Sequence, residues 1–341
     1  MPVHGGSNIK MLSSNLVEGR SHMLGKARWL MLAMLAVVSL EARPAVAVDY
    51  PTRPIEILVP YPGGAPMDLM SRFVADTAPK YLGQPVVVVN KPGAGGSLAA
   101  AEIISSKPDG YKLLNTTNLF FATTTKTQKI PFDPSYLAPL VNLIEYRGGI
   151  CVRGDSPWKD FNDLLDYARK NPGKLRWGHS GRGIGEHIAT LLIFRRAGVQ
   201  TIEVPYKGTP EKVTALLGGH VDAIAQTYGI VQDHVKAGKI RYLIFLRGRG
   251  HTSAGEYGFP EVAKLTLYSG YFVHKDTPQE IKKILIEAFR KTYDDPVFQK
   301  QFEKLGEEPR FGGPEFVEET IRGAEEIGVP MLKELGLYVG K

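Results

Sequence analysis

Short runs of β-branched and apolar residues recur along this chain and alternate with stretches in which apolar residues return every three or four positions. The runs are Ile55–Val59, Val86–Val89, Lys112–Leu114, Leu175–Trp177, Thr201–Val204, Val221–Ala225 and Ile240–Leu246. Continuous apolar runs bounded by turn residues read as buried strands, and the 3.6-residue period between them reads as amphipathic helix. Their alternation predicts an α/β architecture with largely parallel sheets.

Several helix ends are marked. Thr277-Pro278-Gln279-Glu280 reads as a capping box with proline at the first helical position, ahead of a stripe of Ile281, Ile284, Leu285, Ala288 and Phe289. Ser156-Pro157 predicts a second such start, before Trp158, Phe161, Leu164, Leu165 and Ala168. In "HVKAGKIRYLIFL" a helix stops near Gly238 and a strand starts at Ile240. Residues 150–267 make a self-consistent α/β unit, and the flanking parts are expected to complete a second sheet. Two lobes joined by at least two crossings follow, and the cleft between them is where a ligand is expected.

Two glycine-rich loops interrupt this pattern in the same way. The strand at Ile55–Val59 runs into "PYPGGAPMD" and then a helix, and the strand at Leu175–Trp177 runs into "GHSGRGIGEH" and then a helix. Glycine allows close backbone approach, and the start of a helix presents unpaired N–H groups with a partial positive charge. Each loop is therefore a candidate anion cradle, and the pair, one per lobe, can face a shared ligand. Asp68 either complements the helix dipole or contacts the ligand. Arg182 either attracts a carboxylate or points to solvent, and Ser180 adds a hydroxyl.

Composition narrows the partners. The net charge is +7, but residues 1–47 hold five Lys/Arg and two Asp/Glu, leaving +4 interleaved with acids over the rest. This is a solvated surface and no nucleic-acid footprint. Lys26 and Arg28 precede about a dozen mostly apolar residues and then Ala45-Val46-Ala47, the layout of a cleaved export leader. The mature chain is expected to begin near Val48, in the periplasm of a Gram-negative bacterium. Cys151 is the single cysteine, so no intramolecular disulfide is possible.

Enzymatic readings of the same residues fit less well. Gly181-x-Gly183-x-Gly185 misses the dinucleotide-binding spacing by one residue, since Glu186 follows. "GHSGR" carries Arg182 where a nucleophile elbow needs glycine. A secreted hydrolase using Ser180 is the contrasting possibility, with no histidine and acid assigned to it. The eight histidines show no ligand spacing that favours a metal. His187, at the start of the second helix, reads as structural.

Taken in order, "YPTRPIEILVPYPGGAPMDLMSRFVA", "YLGQPVVVVNKPGAGGSLAAAEIISSKPDGYKLL", "SGRGIGEH", "VPYKGTPEKVTALLGGHVDAIA" and "HVKAGKIRYL" resemble the Bug, or tripartite tricarboxylate transporter (TctC-type), substrate-binding proteins from Tyr50 essentially to the C-terminus. The resemblance implies a two-lobed, type II-like periplasmic binding protein with two mixed sheets flanked by helices and a cleft between the lobes. It implies a small organic carboxylate as ligand, a membrane permease or a sensor as partner, no cofactor, no catalysis and a monomer. The lobes are expected at residues 48–147 with 268–341, and at 148–267. By matching motif, the first loop supplies Tyr61, Gly63, Gly64, Ala65 and Asp68. The second supplies Ser180, Gly181, Arg182 and Gly183, and Tyr206 and Gln226 line the cleft. Ala65, Met67, Ile184 and Gln226 depart from the residues usual in the family, which implies a less hydrophilic acid than citrate.

Overall fold

The apolar runs become strands of two separate sheets. The computed structural model describes residue 1, residues 48–248 and residues 253–339, so the leader pattern ending at Ala47 lies outside the described residues. Four strands come first: β1 (Ile55–Val59), β2 (Val86–Asn90), β3 (Lys112–Thr117) and β4 (Leu137–Tyr146). Next are β5 (Gly148–Arg153), β6 (Leu175–His179), β7 (Thr201–Pro205), β8 (Ala223–Thr227) and β9 (Ile240–Phe245). The last two are β10 (Leu267–His274) and β11 (Glu308–Gly312). One sheet has the order β11-β4-β10-β3-β1-β2 and the other β7-β6-β8-β5-β9.

Both sheets are mixed, which corrects the largely parallel sheets expected from the alternation. β1 runs parallel to β2 and β3, and β6 parallel to β7 and β8. Antiparallel pairing joins β10 to β3 and β4, β11 to β4, and β5 to β8 and β9. The strand runs had not included β4, β5, β10 or β11. β4 carries Pro139, and the register shifts where Pro139 meets Phe272, so its pattern is broken where the ladder itself is irregular.

Helices cover both faces of each sheet. Those between the early strands are α1 (Pro66–Thr77), α2 (Pro79–Leu82), α3 (Ser97–Ser105) and α4 (Asn118–Ala122). The middle segment contributes α5 (Phe161–Lys170), α6 (Gly185–Arg196), α7 (Thr209–Leu217) and α8 (Tyr228–Lys236), and the C-terminal segment α9 (Gln279–Asp294), α10 (Pro296–Leu305) and α11 (Pro314–Glu334). Because strand side chains alternate, Ile57 and Leu113 join a core with α1, α9 and α10, while Leu58 and Leu114 join one with α3 and α4. In the second sheet Trp177 and Ala225 pack on α5 and α6, and Cys151 and Ile224 pack on α7 and α8.

Two segments cross from one core to the other. Val317 of α11 packs with the first sheet, whereas Ala324, Met331 and Leu332 of the same helix pack with the second, where Leu119 and Ala122 of α4 join them. No described helix is long and apolar enough to cross a membrane.

Two helix starts differ from expectation. Pro278 itself is the extended N-cap of α9, which places the buried Thr277 hydroxyl one residue too early to cap, and that hydroxyl has no partner. The other helix begins at Phe161, because Asp160 caps it by accepting the N–H of Asp163 at 3.0 Å, leaving Trp158 ahead of the helix. The stripes largely hold: Ile281, Leu285, Ala288 and Phe289 are buried and Ile284 is partly buried, and Phe161, Leu164, Leu165 and Ala168 are buried.

Candidate functional site

The loop after β1 is shaped by a carboxylate from the helix that follows it. Asp68, in the first turn of α1, accepts the N–H of Gly64 at 2.8 Å, Arg72 Nε at 3.0 Å and Asn90 Nδ2 at 2.8 Å. Asn90 also donates to the carbonyl of Tyr61 at 3.0 Å. Asp68 is 1% exposed, and burial pushes its carboxyl upward, yet the hydrogen bonds from Arg72, Gly64 and Asn90 outweigh this and hold it below the usual range. Its oxygens are thus occupied by protein. Tyr61, 42% exposed, and Gly63 and Gly64 remain open to solvent. Ala65, the N-cap of α1, has no side-chain oxygen to cover the first-turn N–H groups.

The second loop is held more completely than its sequence suggests. The N–H of Ser180 donates to Glu186 Oε1 at 3.1 Å, that of Gly181 to His179 Nδ1 at 3.1 Å, and that of Gly183 to His187 Nδ1 at 3.2 Å. Lys212, fully buried, anchors Glu186 at 2.7 Å and also donates to the carbonyl of Ala225 at 2.5 Å. These three N–H groups are therefore turned to protein acceptors. What the loop presents instead is the Ser180 hydroxyl, buried and without a protein partner, and the Arg182 side chain, 53% exposed and 3.7 Å from Glu203. The N-cap of α6 is Ile184, again with no capping oxygen.

Gly183 and Gly185 face away from the loop's open side. Gly183 has φ +84°, and a Cβ there would lie 2.8 Å from Thr127 Cγ2; one at Gly185 would lie 2.0 Å from Leu119 Cδ1. Glycine at both positions lets the start of α6 press against the segment that follows β3.

Tyr206 packs on Gly178 at the end of β6, and its N–H bonds the carbonyl of His179 at 2.9 Å. Gln226 is buried near the end of β8; its Oε1 has no partner, and its carbonyl accepts the Tyr242 hydroxyl at 3.0 Å. Tyr146, at the end of β4, was not read from the sequence. Its buried hydroxyl lacks a protein partner, and burial, then the charge of Glu307, pushes its phenol well upward, with Tyr61 close enough to contribute. Glu307 was also missed. It accepts the N–H of Arg147, where the chain crosses between sheets, and of Gly229 in the first turn of α8, both at 2.6 Å. No spacing rule marks Glu307, because its partners lie 160 and 78 positions away.

Among the described residues, Ser180 is not paired with a base as a hydrolase nucleophile would be. No described histidine is hydrogen-bonded to the Ser180 hydroxyl, since Nδ1 of His179 is taken by Gly181 and Nδ1 of His187 by Gly183. Burial pushes the Cys151 thiol up to about 12, away from the thiolate form that a nucleophile needs. His179, His187 and Glu203 do bring three potential metal-ligand atoms within 4.8 Å of one another. Both Nδ1 atoms accept N–H groups, however, so both Nε2 atoms carry the hydrogen and offer a metal no lone pair. Metal-bound imidazoles ordinarily donate from their other nitrogen, the reverse of what these rings do.

Comparison with known proteins gives a consistent set of matches. The family model described as "Tripartite tricarboxylate transporter family receptor" matches residues 70–337. A UPF0065 protein from the gbd 5′ region of Cupriavidus necator is 35% identical over 334 residues, covering 93% of this chain and 98% of its own length. The crystal structure of a TctC solute-binding protein from Polaromonas superposes with a TM-score of 0.71 at 26% identity, covering 84% of this chain and 99% of that one. The periplasmic binding protein BugD gives a TM-score of 0.70 at 25% identity, covering 85% and 99%.

Proposed function

This chain belongs to the tripartite tricarboxylate transporter receptor family of solute-binding proteins, and from that premise we propose that it captures a small organic carboxylate between two lobes. The lobes are residues 48–147 with 268–341, and 148–267, with α4 and the second half of α11 packed at their junction. The observation that carries this reading is the pair of strand–loop–helix elements, β1 to α1 and β6 to α6, whose helices both start on apolar N-caps, Ala65 and Ile184. Helix starts left open in this way favour an anion.

In this reading Tyr61, Gly63, Gly64 and Ala65 form the first-lobe side, with Asp68 acting through the loop it holds. Ser180, Gly181, Arg182 and Gly183 form the second-lobe side. Ser180 contributes its hydroxyl, Arg182 its charge, and Gly181 and Gly183 the shape of the loop. Tyr206 and Gln226 line the cleft. Met67 is in the core, so the thinner polar lining rests on Ala65, Ile184 and Gln226, and favours an acid less hydrophilic than citrate. The protein acts without catalysis or cofactor, as a monomer in the periplasm after loss of its leader. It delivers its ligand to a permease or signals its presence to a sensor.

The test uses ligand-stripped protein beginning at Val48 and a panel of mono- and dicarboxylates. A ligand that binds only the folded state stabilises it by about 2.7 kcal/mol at a hundredfold excess over Kd, so a matching acid raises the melting temperature. Native mass spectrometry of protein purified from the periplasm identifies a retained acid. A neutral sugar that stabilises the protein while every acid fails would overturn the carboxylate reading.

A further inference from the structure

Beneath the second loop, two fully buried imidazoles come from different elements, His179 from the end of β6 and His187 from α6. Each holds one glycine N–H of the loop through Nδ1, at 3.1 Å for Gly181 and 3.2 Å for Gly183. Their other nitrogens both face Glu203 of β7. His187 Nε2 donates to Glu203 Oε2 at 2.6 Å, and His179 Nε2 lies 3.7 Å from the same oxygen. Trp177 stacks on His187 with ring centroids 5.7 Å apart and an interplanar angle of 27°, limiting rotation of that ring.

We propose that His179, His187 and Glu203 are positioning residues that fix the second loop, so that it meets the ligand with the Ser180 hydroxyl and Arg182 rather than with the Gly181 and Gly183 N–H groups. The inference rests on the proposed role of that loop in ligand capture. Its chemistry requires both rings neutral with hydrogen on Nε2, because a hydrogen on Nδ1 would confront a backbone N–H. Burial favours the neutral form in both rings, and His187 disfavours a charge on His179 as well. Glu203 completes the set as the acceptor for His187 Nε2, while His179 Nε2, 3.7 Å from the same oxygen, is buried without a hydrogen-bond partner; Arg182 Nε also lies 3.7 Å from Glu203. The Ser180 N–H is held separately, by Glu186, which Lys212 anchors.

The test begins with nitrogen-15 NMR of histidine-labelled, ligand-free protein at neutral pH, with amide exchange measured at Gly181 and Gly183. Both rings are expected as Nε2–H tautomers and both amides as protected. His187→Phe removes the acceptor and should raise exchange at Gly183 and weaken binding of the acid found in the panel by about tenfold, the scale of one lost hydrogen bond. His187→Asn places Oδ1 where Nδ1 was, so it should restore protection and keep affinity within about threefold. Either ring appearing as the Nδ1–H tautomer would overturn the proposal. So would unchanged Gly183 exchange in a folded His187→Phe variant, or Zn2+ alone shifting both ring signals and raising the melting temperature. The tautomer and exchange measurements use no ligand, so failure of the carboxylate reading is visible separately, as the absence of any binding acid.

Discussion

The carboxylate of Asp68 accepts the N–H of Gly64 at 2.8 Å, so an acid in the first turn of α1 fixes the glycine loop immediately before it. Asn90 at the end of β2 and Arg72 one turn along α1 complete its coordination. Asp68→Ala leaves the Gly64 N–H, Asn90 and Arg72 without this acceptor, at a cost of about 1–3 kcal/mol. Thermal denaturation should show the loss, and calorimetry with the matching acid should show weaker binding. Wild-type stability in the variant would mean that the loop does not depend on this contact.

A pH dependence follows from the buried histidines. His179 is lowered from 6.5 to about 4, first by burial and then by His187, and His187 is lowered by burial against the opposing pull of Glu203. Between about pH 4 and 6.5 the unfolded chain therefore binds more protons than the folded one. This contribution is complete above 6.5 and is lost as pH falls toward 4, about 3 kcal/mol for His179. Denaturant titrations at pH 7.0, 6.0 and 5.0 should show the wild type losing stability relative to His179→Asn as pH falls, a difference in which the Glu307 contribution cancels.

Glu307 imposes the opposite slope at higher pH. Burial raises its carboxyl from 4.5 to about 8, against the N–H groups of Arg147 and Gly229 and the Arg147 charge. The folded state then binds more protons between about pH 4.5 and 8, so this contribution diminishes as pH rises through that window. Glu307→Gln should flatten the stability profile from pH 6.5 to 8. Identical profiles for variant and wild type would refute the assignment.

Gly185 sets how closely α6 approaches α4. An alanine Cβ there would stand 2.0 Å from Leu119 Cδ1 and 3.2 Å from its Cγ, in a core where Leu119 is buried. Gly185→Ala should therefore lower stability by about 1–3 kcal/mol through overpacking. In a double-mutant cycle with Leu119→Ala the combined loss should be smaller than the sum of the two single losses, and strict additivity would place the strain elsewhere.

The sequence by itself determined the parts whose signals are local. Ile55–Val59 emerges as β1 with the same boundaries, and the α9 and α5 stripes are buried, because strand and helix periods are written in neighbouring residues. The two glycine loops were legible for the same reason, each being a strand, a turn and a helix in succession. Tertiary structure alone decided which groups of those loops remain open. Gly181 and Gly183 look like free donors until the fold brings His179 and His187 beneath them and Glu203 beneath both rings. The antiparallel strands and the Glu307 contacts at Arg147 and Gly229 likewise depend on residues far apart in the chain. A buried N–H must find an acceptor, but sequence does not say which one, because the folded chain settles that competition through long-range packing.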